Sequence, residues 1–158
     1  DYGQEAIEIL LQVMENNRDD LVVIMAGYAD RMDRFFSANP GFRSRIAHHI
    51  EFPDYSDDEL GRISGAMLEG QGYAFDAEGR AAMEEYIRLR REQPHFANAR
   101  SIRNALDRAR LRQANRLFSG DGPVDAKTLS TITGADIRAS RVFQGGLDID
   151  GSRRKDQP

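Results

Sequence analysis

Two arginines spaced two positions apart are the first residues of this chain whose type and spacing could do chemistry. Arg43 and Arg45 lie in residues 39–46 (NPGFRSRI), directly after an Asn-Pro-Gly turn. A guanidinium group stays charged and donates paired hydrogen bonds, a geometry that suits phosphate oxygens. On a short segment anchored by a turn, the two side chains are expected to project as a fork towards a phosphate. The alternative is an exposed loop with incidental salt bridges.

A third arginine opens the longest predicted helix. Arg100 lies in residues 98–104 (NARSIRN), in the first helical turn. A cation is unfavourable there because the amino end of a helix carries partial positive charge, so a bound anion would explain it. The alternative is an acidic side chain beside Arg100. Five further arginines follow on this helix and are expected to form a solvated face, with a nucleic-acid-binding stripe as the other reading: Arg103, Arg108, Arg110, Arg112 and Arg116.

Other patterns that indicate catalysis are weak or missing. Tyr28 follows an apolar run and Gly27, and the ends of strands in open α/β sheets are places where ligands bind. His48 and His49 are adjacent on a predicted strand, so their side chains point to opposite faces and we expect no metal site. The sequence has no cysteine, no Gly-rich phosphate loop and no Gly-x-Ser-x-Gly motif.

The elements that position these residues divide near Pro53. Before it, apolar spacing predicts a helix over residues 4–16, a buried strand over 21–26, a short helix around Phe35 and a second strand over 48–52. Two strands do not make a stable α/β core by themselves.

After Pro53 the pattern is helical. Ser56 and Glu59 have the spacing of a capping box, and Asp76 is expected to cap the next helix. Asn98 is expected to cap the long helix over residues 99–118, which a Ser-Gly-Asp-Gly-Pro segment at 119–123 ends. A last short helix is predicted from Thr133, and residues 145–158 form a predicted flexible tail.

Composition sets broad limits. The chain has 158 residues and a net charge of −4, which argues against a general nucleic-acid-binding protein. No apolar run approaches the ~20 residues that cross a bilayer, so we expect no membrane segment. The first residues, DYGQ, contain neither an initiator methionine nor a signal peptide, and we expect that the chain was cut from something longer.

In order along the chain, these segments resemble the later half of an AAA+ ATPase module, specifically the red-type Rubisco activase family (CbbX/CfxQ). The resemblance rests on residues 1–55, on 94–106 (PHFANARSIRNAL) and on 139–143 (ASRVF), and it covers nearly the whole chain. It implies an α/β remnant at 1–52, the carboxy-terminal part of a nucleotide-binding domain. An all-α helical lid at 53–144 and the tail at 145–158 follow, mostly α overall. In that family a strand preceding Asp1 would lie between the two predicted strands.

The resemblance also implies roles for individual residues. Arg45 matches the arginine finger that reaches the nucleotide of a neighbouring subunit, with Arg43 as the second candidate. Arg100 matches the sensor-2 arginine, which contacts the nucleotide of its own subunit. The resemblance places Leu60 and Ile63 on the adenine side. Tyr28 stands near the sensor-1 position, where many AAA+ proteins have asparagine or threonine.

The implied activity is ATP hydrolysis, with Mg²⁺, by a hexameric ring that remodels the Rubisco large subunit and releases inhibitory sugar phosphates. Ribulose 1,5-bisphosphate is the implied activator, and the implied compartment is bacterial cytoplasm or plastid stroma. The phosphate-loop lysine and the Asp-Glu magnesium pair are missing from this sequence, so we expect the chain alone to be inactive. Two alternatives stay open: a related AAA+ ATPase of type VII secretion, and an arginine-rich helical module that binds nucleic acid.

Overall fold

The computed structural model describes residues 2–120 and 124–147, and the chain divides into two units. The N-terminal unit is Asp1–Phe52 and the C-terminal unit is Pro53–Pro158. In the N-terminal unit, the described residues form helix α1 (Tyr2–Asn16), helix α2 (Ala29–Ala38) and the one-turn helix α3 (Pro40–Arg43).

The core of the N-terminal unit is small and aromatic. Phe42 on α3 is fully buried, and its ring lies 5.1 Å from the ring of Phe35 on α2. Phe36 packs edge-on against Phe35 on one side and against His49 on the other, at 5.6 and 5.4 Å between ring centres. This cluster fixes α3 against α2 and therefore sets the position of the Arg43–Arg45 segment.

The two strands predicted for this unit do not form. Residues 21–26 and 48–52 pair with no strand among the described residues. Four of their apolar side chains face solvent, with Val22 84%, Ile24 88%, Ile50 77% and Phe52 92% exposed, whereas Val23 and Met25 are partly buried. A buried parallel strand needs hydrogen-bonded neighbours, and these two segments do not supply them to each other. The strand prediction is therefore wrong for this chain, although its apolar composition was read correctly.

The C-terminal unit is mostly helical, as predicted. Its described elements, in chain order, are helix α4 (Asp57–Glu69), strand β1 (Ala74–Phe75), helix α5 (Ala77–Arg91), helix α6 (Asn98–Phe118), helix α7 (Ala126–Leu129), strand β2 (Thr131–Ile132), helix α8 (Gly134–Arg138) and a 3₁₀ turn (Arg141–Gln144). Helix α5 packs against α4 and α8, and α6 packs against the same two helices. The shared core includes Leu60, Met83, Tyr86, Ile102 and Ile137.

One short sheet departs from the all-helical prediction for this unit. Strands β1 and β2 pair in parallel over two residues each, with Ala74 opposite Thr131 and Phe75 opposite Ile132. The pairing brings the end of β2 so close to α5 that a β-carbon at Gly79 would lie 2.4 Å from the Ile132 carbonyl oxygen. Segments this short carry no recognisable alternation, so sequence periodicity could not predict them.

Two of the three predicted helix caps are present. The Ser56–Glu59 capping box is present, with the Glu59 amide donating to Ser56 Oγ at 3.2 Å and the Ser56 amide donating to Glu59 Oε2 at 2.8 Å. Asp76 caps α5 by accepting from the Gly79 amide at 2.6 Å. The cap predicted for Asn98 is wrong, because Asn98 lies inside α6 and its side chain binds elsewhere.

The last predictions concern the chain's loops and end. Helix α8 begins after Thr133, as predicted. Residues 121–123 of the predicted break, and residues 148–158 of the predicted tail, lie outside the described residues. In the described part of the tail, Gly145 ends the 3₁₀ turn with φ +69°, a conformation that favours glycine. Within the described part of the chain, no helix is both long and apolar enough to span a membrane.

Candidate functional site

The segment that carries Arg43 and Arg45 is held by the residues around it. Asn39 is buried, and both its backbone amide and its Nδ2 donate to the Phe35 carbonyl oxygen, at 3.0 and 2.9 Å. Pro40 occupies the first position of α3, where a missing amide hydrogen costs nothing. With Phe42 buried on the inner side, the arginines that follow are left on the surface.

Arg45 is bound within its own unit. Its Nε donates to Glu15 Oε2 on α1 at 3.1 Å, and its Nη1 donates to the Gly41 carbonyl oxygen at 3.0 Å. Arg45 is 39% and Glu15 51% exposed, so water surrounds much of the pair. Of the two arginines predicted to project from this segment, Arg45 is therefore bound to α1.

The other two candidate residues of this unit, Arg43 and Tyr28, are both exposed. Arg43 ends α3, is exposed, and its guanidinium makes no hydrogen bond or ion pair with another described residue. Tyr28 precedes α2, is 74% exposed and lies 5.7 Å from the guanidinium of Arg31. Between Arg43 and Arg45, it is therefore Arg43 whose guanidinium is open to a ligand in this arrangement.

Arg100 occupies the first turn of α6 and is exposed. Its backbone amide donates to the Ala97 carbonyl oxygen at 3.0 Å, but its guanidinium forms no hydrogen bond or ion pair with any residue in the described ranges 2–120 and 124–147. An acidic partner for Arg100, the alternative to a bound anion, is therefore not found among these residues. The result is an exposed cation at the positive end of a 21-residue helix, an arrangement that attracts an anion.

The loop before Arg100 is organised by a buried arginine that sequence reasoning missed. Arg90 is 6% exposed and donates to three successive carbonyl oxygens, those of Gln93, Pro94 and His95, at 3.4, 3.1 and 3.2 Å. Its guanidinium also lies 5.9 Å from the ring centre of Phe96. These contacts fix the path of the chain into α6.

The spacing of α5 could have revealed Arg90. Met83, Tyr86, Ile87 and Arg90 follow one another at the three- and four-residue intervals of a single helix face. The first three are buried in the core, so the fourth is turned inwards as well. An arginine at an apolar position of such a face signals a buried cation that needs several acceptors.

Asn98 and Arg91 hold the beginning of the C-terminal unit. Asn98 Nδ2 donates to Asp54 Oδ1 at 2.7 Å, and the Tyr55 amide donates to Asn98 Oδ1 at 3.2 Å. Arg91 Nε donates to Asp57 Oδ1 at 2.7 Å, and its Nη2 donates to the Tyr55 carbonyl oxygen. Residues 54–57 are thereby tied to α5 through Arg91 and to α6 through Asn98, which precedes Arg100 by two residues in the sequence.

The two residues predicted for an adenine site lie at different depths. Leu60 is fully buried in the core of the C-terminal unit and offers no surface to a ligand. Ile63, three residues later on α4, is partly exposed while it packs against the same core. Only Ile63 of this pair could touch a base without a rearrangement of the core.

Several arginines of α6 are tied to neighbouring elements. Arg116 donates to both carboxylate oxygens of Asp136, at 3.0 and 2.8 Å, and Arg112 donates to the Asp136 carbonyl oxygen at 3.0 Å. Arg110 donates to Gln71 Oε1 at 2.7 Å and stacks on the Tyr73 ring at 4.9 Å. These contacts make the arginines structural ties of the unit, which weakens the case for a nucleic-acid-binding stripe.

The contact between Arg116 and Asp136 also shifts the pKa of both groups. Burial alone would raise the pKa of the Asp136 carboxyl, but hydrogen bonds from Arg116 and Thr133 outweigh it and hold that pKa below its usual value. The same hydrogen bond raises the pKa of Arg116 above its ordinary value. The pair is therefore fully charged at neutral pH.

No group of three or more His, Asp or Glu side chains among the described residues could hold a metal ion.

Comparison with known proteins points in one direction. The model of the AAA lid domain family matches residues 56–143, which is most of the described C-terminal unit. Over 149 residues the chain is 75% identical to Protein CbbX of Cereibacter sphaeroides, covering 94% of this chain and 48% of that protein. It is 68% identical to Protein CfxQ of Xanthobacter flavus over 94% of this chain and 47% of that protein.

The chain is also similar to a chloroplast protein. The chain is 60% identical to the chloroplastic ribulose bisphosphate carboxylase/oxygenase activase of Cyanidioschyzon merolae over 145 residues, 91% of this chain and 50% of that protein. The chain spans about half the length of the curated relatives it matches.

Proposed function

Because the chain belongs to the AAA+ ATPases of the CbbX/CfxQ family and matches their carboxy-terminal half, we propose that it supplies the arginines that sense ATP in an ATPase that remodels Rubisco. The observation that carries the proposal is Arg100, an exposed guanidinium at the amino end of α6 with no acidic partner among the described residues. In the role of sensor 2, Arg100 contacts the phosphates of the nucleotide bound by its own subunit.

Arg45 is proposed to act across a subunit boundary as the arginine finger. To reach a phosphate it must leave Glu15, and an exposed ion pair of this kind contributes only about 0–1 kcal/mol. A guanidinium that stabilises the charge of phosphoryl transfer contributes far more, about 1,000-fold or more in rate. The contact with Glu15 is therefore no obstacle to the role. Arg43 is the second candidate, since its guanidinium is already exposed.

Partners and cofactors follow from the family. The proposed substrate is Rubisco that has been inhibited by a sugar phosphate, the proposed activator is ribulose 1,5-bisphosphate, and the proposed assembly is a hexameric ring. ATP would be held with Mg²⁺ by residues that this sequence does not contain, because it has no phosphate-loop lysine. The similarity to bacterial and chloroplastic proteins supports a bacterial cytoplasm or plastid stroma.

The decisive experiment uses the full-length ATPase that carries this chain. We expect ATP hydrolysis to rise when ribulose 1,5-bisphosphate is added, and inhibited Rubisco to recover its carboxylation rate only when ATP is present. A rate of ATP hydrolysis that does not change with ribulose 1,5-bisphosphate, together with Rubisco that stays inhibited, would contradict the proposal and favour a type VII secretion ATPase. Binding of DNA or RNA that weakens steeply with added salt would instead favour the nucleic-acid module.

The role of Arg100 is tested by replacing it in the same protein. Arg100→Ala should weaken ATP binding by about tenfold or more, because a hydrogen bond to a charged group is worth about 1.5–3 kcal/mol. Arg103→Ala is the matched control, since Arg103 is exposed on the same helix one turn later. Equal ATP affinity for the two variants would remove the sensor-2 assignment.

A further inference from the structure

Asn98 fastens the first residues of the C-terminal unit to the helix that carries Arg100. Its amide group makes two hydrogen bonds across more than 40 residues of sequence, donating from Nδ2 to Asp54 Oδ1 at 2.7 Å and accepting at Oδ1 from the Tyr55 amide at 3.2 Å. Asp54 and Tyr55 follow directly on the point where the two units divide, between Phe52 and Pro53. The peptide connection between the units is thus anchored, on its C-terminal side, to α6.

The backbone of Asn98 shows that this contact is built at some cost. Its φ is +47°, in the left-handed region that residues other than glycine seldom adopt and that asparagine tolerates better than most. The side chain does not cap the helix, because the N-cap residue is Ala97, whose amide donates to Ser101 Oγ at 2.9 Å. An unfavourable backbone conformation is therefore kept together with a side chain whose bonds go to Asp54 and Tyr55.

Arg91 provides a second attachment for the first residues of the C-terminal unit. It reaches the same segment from the end of α5, with hydrogen bonds to Asp57 Oδ1 and to the Tyr55 carbonyl oxygen, and its guanidinium lies 5.5 Å from the Phe96 ring centre. Tyr55 is consequently held through its amide by Asn98 and through its carbonyl by Arg91. A displacement of the amino end of α6 must be passed on to this residue.

We propose that Asn98 is a positioning residue of the ATPase, which passes movement of Arg100 to the connection between the two units. Arg100 and Asn98 lie in the same first turn of α6, so a shift of one moves the other. Asn98 touches no nucleotide in this role and acts through Asp54 and Tyr55. The inference rests on the proposed function of Arg100 and adds the route by which nucleotide contact reaches the rest of the chain.

The test separates nucleotide binding from turnover in the full-length ATPase. Asn98→Gly suits the positive φ while it removes both hydrogen bonds, and Asp54→Ala removes the acceptor without touching that backbone. Each variant should lower kcat about fivefold while the Kd for ATP stays within about twofold, because only a step after binding depends on the contact. The double variant should be no slower than Asn98→Gly alone, since Asp54→Ala removes a bond that Asn98→Gly has already removed.

Two controls support the comparison. Asp54→Asn keeps an oxygen that can accept from Asn98 Nδ2, so it should retain most of the kcat that Asp54→Ala loses. Asn115→Ala changes an exposed asparagine of the same helix that has no side-chain hydrogen bond to another described residue, and it should leave kcat unchanged.

The outcomes distinguish this inference from the function on which it rests. If Arg100→Ala weakens ATP binding while Asn98→Gly and Asp54→Ala both keep kcat within twofold, the positioning role is overturned and the function stands. If Asn98→Gly weakens ATP binding as much as it lowers kcat, Asn98 serves the nucleotide directly and the inference is also overturned. If Asn98→Gly does not fold, Asp54→Ala decides by the same criterion. If Arg100→Ala leaves ATP affinity unchanged, the proposed sensor-2 function of Arg100 fails, and the route from Arg100 fails with it.

Discussion

Glu15 and Arg45 join the first helix of the N-terminal unit to the segment after α3, with Arg45 Nε donating to Glu15 Oε2 at 3.1 Å. Glu15 also lies 4.0 Å from Arg18, so one exposed carboxylate has two arginine neighbours. A second hydrogen bond from Arg45 to the Gly41 carbonyl oxygen keeps the guanidinium close to its own backbone. The residue proposed as an arginine finger is thus held in place by contacts weak enough to be exchanged for a phosphate.

The first prediction concerns Arg45. Replacing it by alanine in the full-length ATPase should lower kcat by about 1,000-fold, the lower end of what an arginine finger contributes, and should change the ATP Kd little. Arg18→Ala removes the other arginine beside Glu15 and should leave kcat within about twofold. Turnover and nucleotide binding are measured on the same preparations.

The second prediction concerns Arg43, the exposed arginine of the pair. If Arg45 is the finger, Arg43→Ala should lower kcat much less than Arg45→Ala does. A larger loss for Arg43→Ala would assign the finger to Arg43, whose guanidinium has no partner among the described residues. Wild-type turnover in both variants would end the proposal that this segment reaches a neighbour's nucleotide.

The third prediction concerns the chain by itself. Residues 1–158 should bind ATP weakly and hydrolyse none, because the sequence has no Gly-Lys-Ser/Thr loop to hold the β- and γ-phosphates. The measurement is phosphate release by the purified chain at millimolar ATP and Mg²⁺. Turnover by this chain at the rate of the full-length ATPase would show that the chemistry does not need that loop.

Local features of this fold were predictable, because neighbours in sequence determine them. The Ser56–Glu59 box and the Asp76 cap each depend on side chains and amides three residues apart, and both are present in the structure. The mostly helical C-terminal unit follows from apolar spacing in the same way. The exposed position of Arg100 in the first turn of α6 was likewise visible in the sequence.

Features that depend on distant partners were not predictable. The apolar runs around Val22 and Ile50 have the composition of buried strands, but a strand exists only where another strand pairs with it. Asn98 has the residue type of a helix cap, and only the presence of Asp54, 44 residues earlier, explains why its side chain turns away. The two-residue pairing of β1 with β2 leaves no periodic trace at all.

The fourth prediction concerns packing at Gly79. A β-carbon there would lie 2.4 Å from the Ile132 carbonyl oxygen and 3.0 Å from Asp76 Oδ1, so the contact of α5 with the end of β2 must shift. Gly79→Ala should therefore destabilise the C-terminal unit by about 1–3 kcal/mol. Thermal unfolding followed by circular dichroism should show Tm lower by about 4–8 °C for each kcal/mol.

The control for that variant is another helical glycine. A β-carbon at Gly61 on α4 would meet nothing within 4 Å. Gly61→Ala should leave Tm unchanged or raise it, because alanine favours a helix by about 1 kcal/mol over glycine. Equal Tm values for the two variants would show that the close approach at Gly79 does not limit the stability of the unit.

The fifth prediction concerns acid. Asp136 is almost fully buried, accepts two hydrogen bonds from Arg116, and has a pKa held below its ordinary value. A carboxyl whose pKa is lower in the folded state stabilises the fold at pH values above its unfolded pKa of about 3.9. That contribution disappears as the pH falls through the folded value. Asp136→Asn should cost about 2 kcal/mol at neutral pH, less than a fully buried pair because Arg116 is 38% exposed and can be hydrated.

Urea unfolding from pH 7 to pH 2 would test this dependence on charge. The difference in unfolding free energy between wild type and Asp136→Asn should stay constant down to about pH 4 and shrink below it, because there the wild-type carboxyl also becomes neutral. Glu85→Gln breaks a pair with Arg138 in which both side chains are largely exposed, and it should change stability by less than about 1 kcal/mol at any pH. A difference for Asp136→Asn that stays constant to pH 2 would mean that the shape of the side chain, and not its charge, holds α6 to α8.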